Sequence, residues 1–166
     1  MRRTKKVSTV LIADGQLFFR RGLRALLNLE ADFNVVDEAG QAAEALAKVH
    51  SWQPDVLIMD LALLGGKQPV TGLDLRQAQP ALSILFLTQQ DGDMQLQSAV
   101  AAGARGYMLK RTAPPELIAG IRKVASPNPG ATTLGGLSRI VPDLQALAES
   151  SGEGKARTLL RAESRK

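Results

Sequence analysis

PDVLIMD, residues 54–60, is the stretch that decides the fold. Val56 to Met59 is an unbroken apolar run entered through a proline and closed by a carboxylate, Asp60. A strand wetted on one face alternates apolar and polar residues. A short continuous run fits a strand covered on both faces, as in a parallel sheet under helices. Outward from it the same signature recurs as VLIA (10–13) and ILFLT (84–88). Weaker strand-like runs lie at 33–38 and 105–109, giving five expected strands: 7–13, 33–38, 55–60, 82–88 and 105–109.

Helical spacing fills the gaps between them. Phe19, Leu23, Leu26 and Leu27 make an apolar stripe, with Arg20, Arg21 and Arg24 off that face. Ala42, Ala45, Leu46 and Val49 repeat the pattern, and Leu117, Ile118, Ile121, Val124 and Ala125 repeat it more strongly. Residues 72–78 give a short helix, and 91–102 give one with a weak stripe. Gly103 falls where a helix C-cap glycine belongs and Pro114 where a first-turn proline does. Strand and helix alternating five times predict an α/β (βα)5 doubly wound parallel sheet of flavodoxin-like strand order 2-1-3-4-5. In such sheets ligands bind at the carboxyl ends of the strands, which directs attention to Asp14 and Asp60.

Composition narrows the chemistry. The chain has 166 residues, no cysteine and one histidine, His50, so thiolate and His-pair metal sites are excluded and a Ser-His-Asp triad is disfavoured. His50 reads as a surface residue at a helix C-terminus. The net charge is +5, but residues 7–126 carry eleven basic and twelve acidic side chains. The excess sits in a basic arm at 1–6 and in the residues from 127 onward, not in a reading stripe. No apolar run approaches the roughly 20 residues that span a bilayer, and the N-terminus does not read as a signal peptide, so a cytoplasmic location without membrane contact is expected. SPNPG (126–130) breaks the pattern. The expected organisation is an arm (1–6), a domain (7–126), and a linker and tail (127–166), with a marginal helix near 142–149 and disorder beyond.

Four side chains close the strands: Asp14, Asp60, Thr88 and Lys110. Alone, Asp60 reads as a strand-end cap. Together the four supply the parts of phosphoryl transfer to a carboxylate. An aspartate can form an acyl phosphate. Two carboxylates can hold Mg2+. A lysine can neutralise phosphoryl oxygens, and a hydroxyl can follow the arriving group. GGKQ (65–68) lacks the features of a phosphate loop, and Gln16 stands where an Asp-x-Asp phosphatase has its second acid.

VLIADGQLFFRRGLRALL (10–27), PDVLIMD (54–60), SILFLT (83–88) and AGARGYMLKRTAPPELIAGIRKV (102–124) resemble a two-component response-regulator receiver domain of the NarL/FixJ type. The resemblance implies Asp60 as phosphoacceptor, Thr88 as switch hydroxyl, Lys110 as phosphate-contacting lysine and Tyr107 as switch aromatic. It implies Mg2+ on Asp14, Asp60 and the Ala62 backbone carbonyl. It implies a histidine kinase or phosphotransfer protein as phosphodonor. It also implies output through the face of the fourth helix, fifth strand and fifth helix, or through the first and fifth helices, as a homodimer or with another protein. It implies no enzyme. Two departures stand out. Gly15 replaces the second acid of the usual pair, so Mg2+ is expected to bind weakly. DLALLGGKQPVTG (60–72) has Leu64 where the family has proline, and the loop is longer. These departures favour the alternative, a phosphorylation-independent pseudo-receiver serving as an interaction module. No LuxR-type helix-turn-helix pattern follows Ser126, so direct DNA binding is not expected of this chain.

Overall fold

The computed structural model describes residues 6–90 and 92–126, with residues 134, 135, 138 and 139. The expected helix at 142–149 and the expected disorder beyond it lie outside the described residues, as do residues 1–5 and Asp91.

Five parallel strands form the centre: β1 (Ser8–Ala13), β2 (Phe33–Ala39), β3 (Val56–Asp60), β4 (Ser83–Thr88) and β5 (Gly106–Leu109). Their order is β2-β1-β3-β4-β5, the flavodoxin-like winding that the alternation predicts. Five helices connect and cover them: α1 (Leu17–Asn28), α2 (Ala42–Trp52), α3 (Gly72–Ala78), α4 (Asp93–Ala101) and α5 (Pro114–Ala125). Two antiparallel pieces of two residues each, β6 (Leu134–Gly135) and β7 (Ser138–Arg139), extend the sheet past β5 by pairing Arg139 with Tyr107. The sequence pattern gives no strand there. Their pairing satisfies backbone groups along an edge that β5 would otherwise present.

The period-2 pleat sorts the core into two layers. Leu11, Leu57, Met59, Ile84, Phe86 and Tyr107 face one way, against α2, α3 and α4. Val10, Ile12, Val56, Ile58, Leu85, Leu87 and Met108 face the other, against Leu23 and Leu27 of α1 and Leu117, Ile118, Ile121 and Val124 of α5. Both faces being covered explains why the central strands read as continuous apolar runs.

Two glycines fix the frame beneath the functional rim. Gly103 has φ +79° and ends α4, its N–H reaching Val100 O while Ala104 N reaches Ala99 O. That is the left-handed cap for which the residue type is suited. Gly72 begins α3 so close to Ala102 that a Cβ would lie 1.8 Å from the Ala102 carbonyl oxygen. Thr71 and Asp74 close a capping box over the same helix start.

Candidate functional site

Sheet register brings the strand ends together. Ala13 pairs with Met59, Asp60 with Leu87, and Thr88 with Leu109, so the residues at and just after these positions share one rim. Lys110 leaves β5 with its N–H on Thr88 O at 2.8 Å. Its Nζ lies 2.6 Å from Asp14 Oδ2 and 2.9 Å from Asp60 Oδ2. All three side chains are largely buried. Burial opposes the Lys110 ammonium, but the hydrogen bonds it donates to Asp14 and Asp60, with their Coulomb attraction, override it and hold its pKa above the ordinary lysine value. The ring of Phe19, on α1, sits 4.8 Å beneath the ammonium and adds cation–π attraction.

Backbone amides fix both carboxylates. Asp14 Oδ1 accepts from Gln16 N at 2.8 Å, and Asp60 Oδ1 accepts from Ala62 N at 3.0 Å. Asp60 opens onto a cleft of about 680 Å³, lined also by Gln16, Ala62, Leu64, Thr88 and Gln90. The long loop begins as a 3₁₀ turn, Leu61–Gly65, and Leu63 and Leu64 pack against the core on the α2–α4 side. Its exposed part, 65–69, leaves the cleft at Gly65 and passes over the start of α2, where Gly66, Lys67 and Gln68 face Gln41–Ala43, and Val70 is buried at its far end.

Thr88 and Tyr107 share one acceptor. Thr88 Oγ1 donates to Gln90 O at 3.1 Å, and Tyr107 Oη donates to the same carbonyl at 3.4 Å. Tyr107 is 1% exposed, deep in the α2–α4 layer. The structure therefore assembles Asp14, Asp60, Lys110, Thr88 and Ala62 on one rim and ties Tyr107 to Thr88 through Gln90. Gly15 lies at the same rim without a left-handed φ. A Cβ there would meet nothing closer than Leu63 Cδ2, at 3.9 Å. His50 is exposed at the end of α2, as its position implies.

Sequence patterning did not reveal Phe19, Gln16, Gln90 or the arrangement of the arginines. Arg20, Arg21 and Arg24 do leave the apolar stripe, but they converge on Glu38, at 3.5, 3.6 and 3.1 Å. The available signal was the pair Asp37-Glu38 ending the strand that α1 precedes.

A parallel α/β sandwich with two carboxylates sharing a lysine at its carboxyl rim defines a receiver-type signalling module. The chain belongs to the response regulator receiver domain family, whose pattern matches residues 10–122, and its relatives are of the NarL/LuxR type. It is 37% identical over 116 residues to the oxygen regulatory protein NreC of Staphylococcus carnosus, covering 69% of this chain and 54% of that protein. It is 36% identical over 117 residues to the DNA-binding transcriptional activator DevR/DosR of Mycobacterium tuberculosis, covering 70% and 54%. A solved LuxR-family two-component response regulator from Aurantimonas sp. SI85-9A1 superposes with a TM-score of 0.64 at 30% identity, over 72% of this chain and 86% of that one. The chain thus spans about half the length of the curated relatives it matches. Receiver domains are in general signalling modules rather than enzymes, interact with histidine kinases, and bind Mg2+ at the phosphorylation site. These likenesses favour a phosphorelay role over the phosphorylation-independent alternative. Among the described residues no helix is long and apolar enough to cross a membrane.

Proposed function

We propose that Asp60 accepts a phosphoryl group from the phosphohistidine of a histidine kinase or phosphotransfer protein, and that the chain serves as a cytoplasmic receiver without enzymatic turnover of its own. The observation that carries this reading is the Lys110 ammonium touching both Asp14 and Asp60 beside a cleft that also holds Thr88.

In the transfer, an Asp60 carboxylate oxygen attacks phosphorus and a P–O bond forms. The P–N bond to the donor imidazole, protonated on its other ring nitrogen, breaks, and the ring takes the electron pair and leaves as neutral imidazole. Lys110 neutralises charge on the phosphoryl oxygens. Thr88 then turns its hydroxyl from Gln90 O to a phosphoryl oxygen, and the Gln90 carbonyl keeps Tyr107 as donor. A change at Asp60 thereby reaches the face of α4, β5 and α5, where exposed Arg111 lies, and alters contacts with a second copy or another protein.

The residues present fit a magnesium ion with a reduced ligand set. Asp60 and Ala62 line the cleft and would offer it a carboxylate and a carbonyl, and Asp14, buried beside them on the Lys110 ammonium, would supply the second carboxylate. Among the described residues no group of three His, Cys, Asp or Glu side chains is placed to hold a metal. Bound there, Mg2+ supplies further charge neutralisation to the phosphoryl group. Gly15 offers it no carboxylate, so its affinity is low.

The test is incubation with acetyl phosphate and Mg2+ followed by intact mass spectrometry. Wild type should gain one phosphoryl group and Asp60→Asn none. No gain in wild type or in Gly15→Asp would sink the phosphoacceptor reading and leave an interaction module.

A further inference from the structure

We infer that Arg20 is a positioning residue for the phosphorylation pocket, acting through the backbone carbonyl of Asp14. The inference rests on the phosphoacceptor reading above for its functional consequence, but its structural part stands on separate observations.

Every polar group of Asp14 has an assigned partner. Its N–H donates to Ala39 O at 3.0 Å. Its Oδ1 takes the Gln16 amide and its Oδ2 takes Lys110. The remaining group, the carbonyl oxygen, accepts from Arg20 Nη1. Asp14 is 2% exposed, so water is a poor substitute for any of these donors.

The guanidinium is oriented for that carbonyl rather than for its carboxylate neighbour. An arginine serving only Glu38 would present a two-pronged fork to it. Here Arg20 Nε is buried without a hydrogen bond and stays 3.5 Å from Glu38 Oε2. Arg24 makes the hydrogen bond to Glu38 instead, at 3.1 Å. Glu38 thus anchors the Arg20 stem electrostatically while Nη1 reaches across to the β1–α1 turn.

Gly15 makes this contact matter. The peptide that follows Asp14 leads into a residue with no Cβ, whose backbone is freer than that of an acid at the same place. A charge-assisted hydrogen bond to the Asp14 carbonyl fixes that peptide plane, and with it the direction in which the Asp14 carboxylate meets Lys110.

The experiment compares Arg20→Ala, Arg20→Lys and Arg24→Ala in the full chain. One readout is the acetyl phosphate labelling rate with Mg2+. A second is amide hydrogen exchange at Gln16, whose N–H rests on Asp14 Oδ1. Circular dichroism establishes that each variant is folded. Arg20→Ala should speed Gln16 exchange and slow labelling, each by about tenfold, the scale of a lost hydrogen bond to a charged group. Arg20→Lys should recover part of both. Arg24→Ala loses the same Glu38 partner without touching Asp14, and should leave both unchanged. Equal losses in Arg24→Ala, or unchanged exchange or labelling in a folded Arg20→Ala, would overturn the assignment. If neither wild type nor Gly15→Asp labels, the phosphoacceptor reading fails separately, and Gln16 exchange alone decides whether Arg20 holds the Asp14 turn.

Discussion

Two cations at opposite ends of the sheet are built from the same parts. At the carboxyl rim Lys110 lies between Asp14 and Asp60, over the ring of Phe19. At the amino rim Arg122 lies between Glu30 and Asp32, over the ring of Phe33 at 5.7 Å. Each has two carboxylates and one phenyl face, yet the arrangements do different things. Arg122 uses its planar fork: Nε meets Asp32 Oδ2 at 2.6 Å and Nη2 meets Asp32 Oδ1 at 3.0 Å. The hydrogen bonds it donates to Asp32 and Glu30 hold its proton far more firmly than usual. The fork's geometry is spent on α5 and the turn before β2, so this is a clamp. Lys110 is a compact charge with three rotatable donors beside an open cleft, and a phosphoryl oxygen can replace a carboxylate oxygen in its shell without the lysine moving far. The charge count is the same at both ends, and the shape of the cation and the space beside it separate a fastener from a reaction site.

The largest effect expected from this contrast is at Lys110. Lys110→Ala should reduce Asp60 labelling about 10²–10³-fold, the usual scale for losing a charge-stabilising donor in a reacting site. Lys110→Arg should restore little of it, because a rigid fork cannot follow the phosphoryl group. Labelling of Lys110→Arg at the wild-type rate, read by intact mass, would erase the distinction between the two ends.

Next comes Gly15→Asp. A side chain fits there without backbone strain, and a third carboxylate should tighten Mg2+ about 10–100-fold and speed labelling with it. Isothermal titration with Mg2+ measures the first and mass spectrometry the second. Wild type labelling as fast as Gly15→Asp at low Mg2+ would show that Gly15 is not what limits the pocket.

The smallest effect belongs to the clamp. Arg122→Ala removes the guanidinium bonds from the mostly buried Asp32, but Arg122 is itself 39% exposed and screened by water. The expected loss is about 1–2 kcal/mol in urea unfolding, with the labelling rate unchanged. A labelling defect as large as that of Lys110→Ala would mean that the two ends are coupled through α5.

The rim was legible because its ingredients are local and its convergence follows from topology. Continuous apolar runs marked β1, β3 and β4 to within a residue, and the rule that strand ends share an edge brought Asp14, Asp60, Thr88 and Lys110 together. What escaped was everything set by loop backbone or by packing between distant elements. Phe19 shows as one more apolar residue in a stripe, and nothing in its spacing places Lys110 above it. Arg20 shows only as charged and off the core face, while its role depends on where the carbonyl of Asp14 points. Gln90 acts through its backbone, so its side chain carries no signal. β6 and β7 are two residues each, too short for any periodicity to register.

The loop after Asp60 is pinned at both ends and free between them. Ala62 N holds its start to Asp60, while buried Val70, the Thr71–Asp74 box and the Gly72 contact with Ala102 hold its finish. The exposed stretch 65–69 can therefore change length at little entropic cost and without shifting α3. For the protein engineer it is an insertion point: a short epitope or fluorophore-labelling tag spliced between Gly66 and Gln68 would stand beside the start of α2, next to Gln41–Ala43, and leave α3 in place.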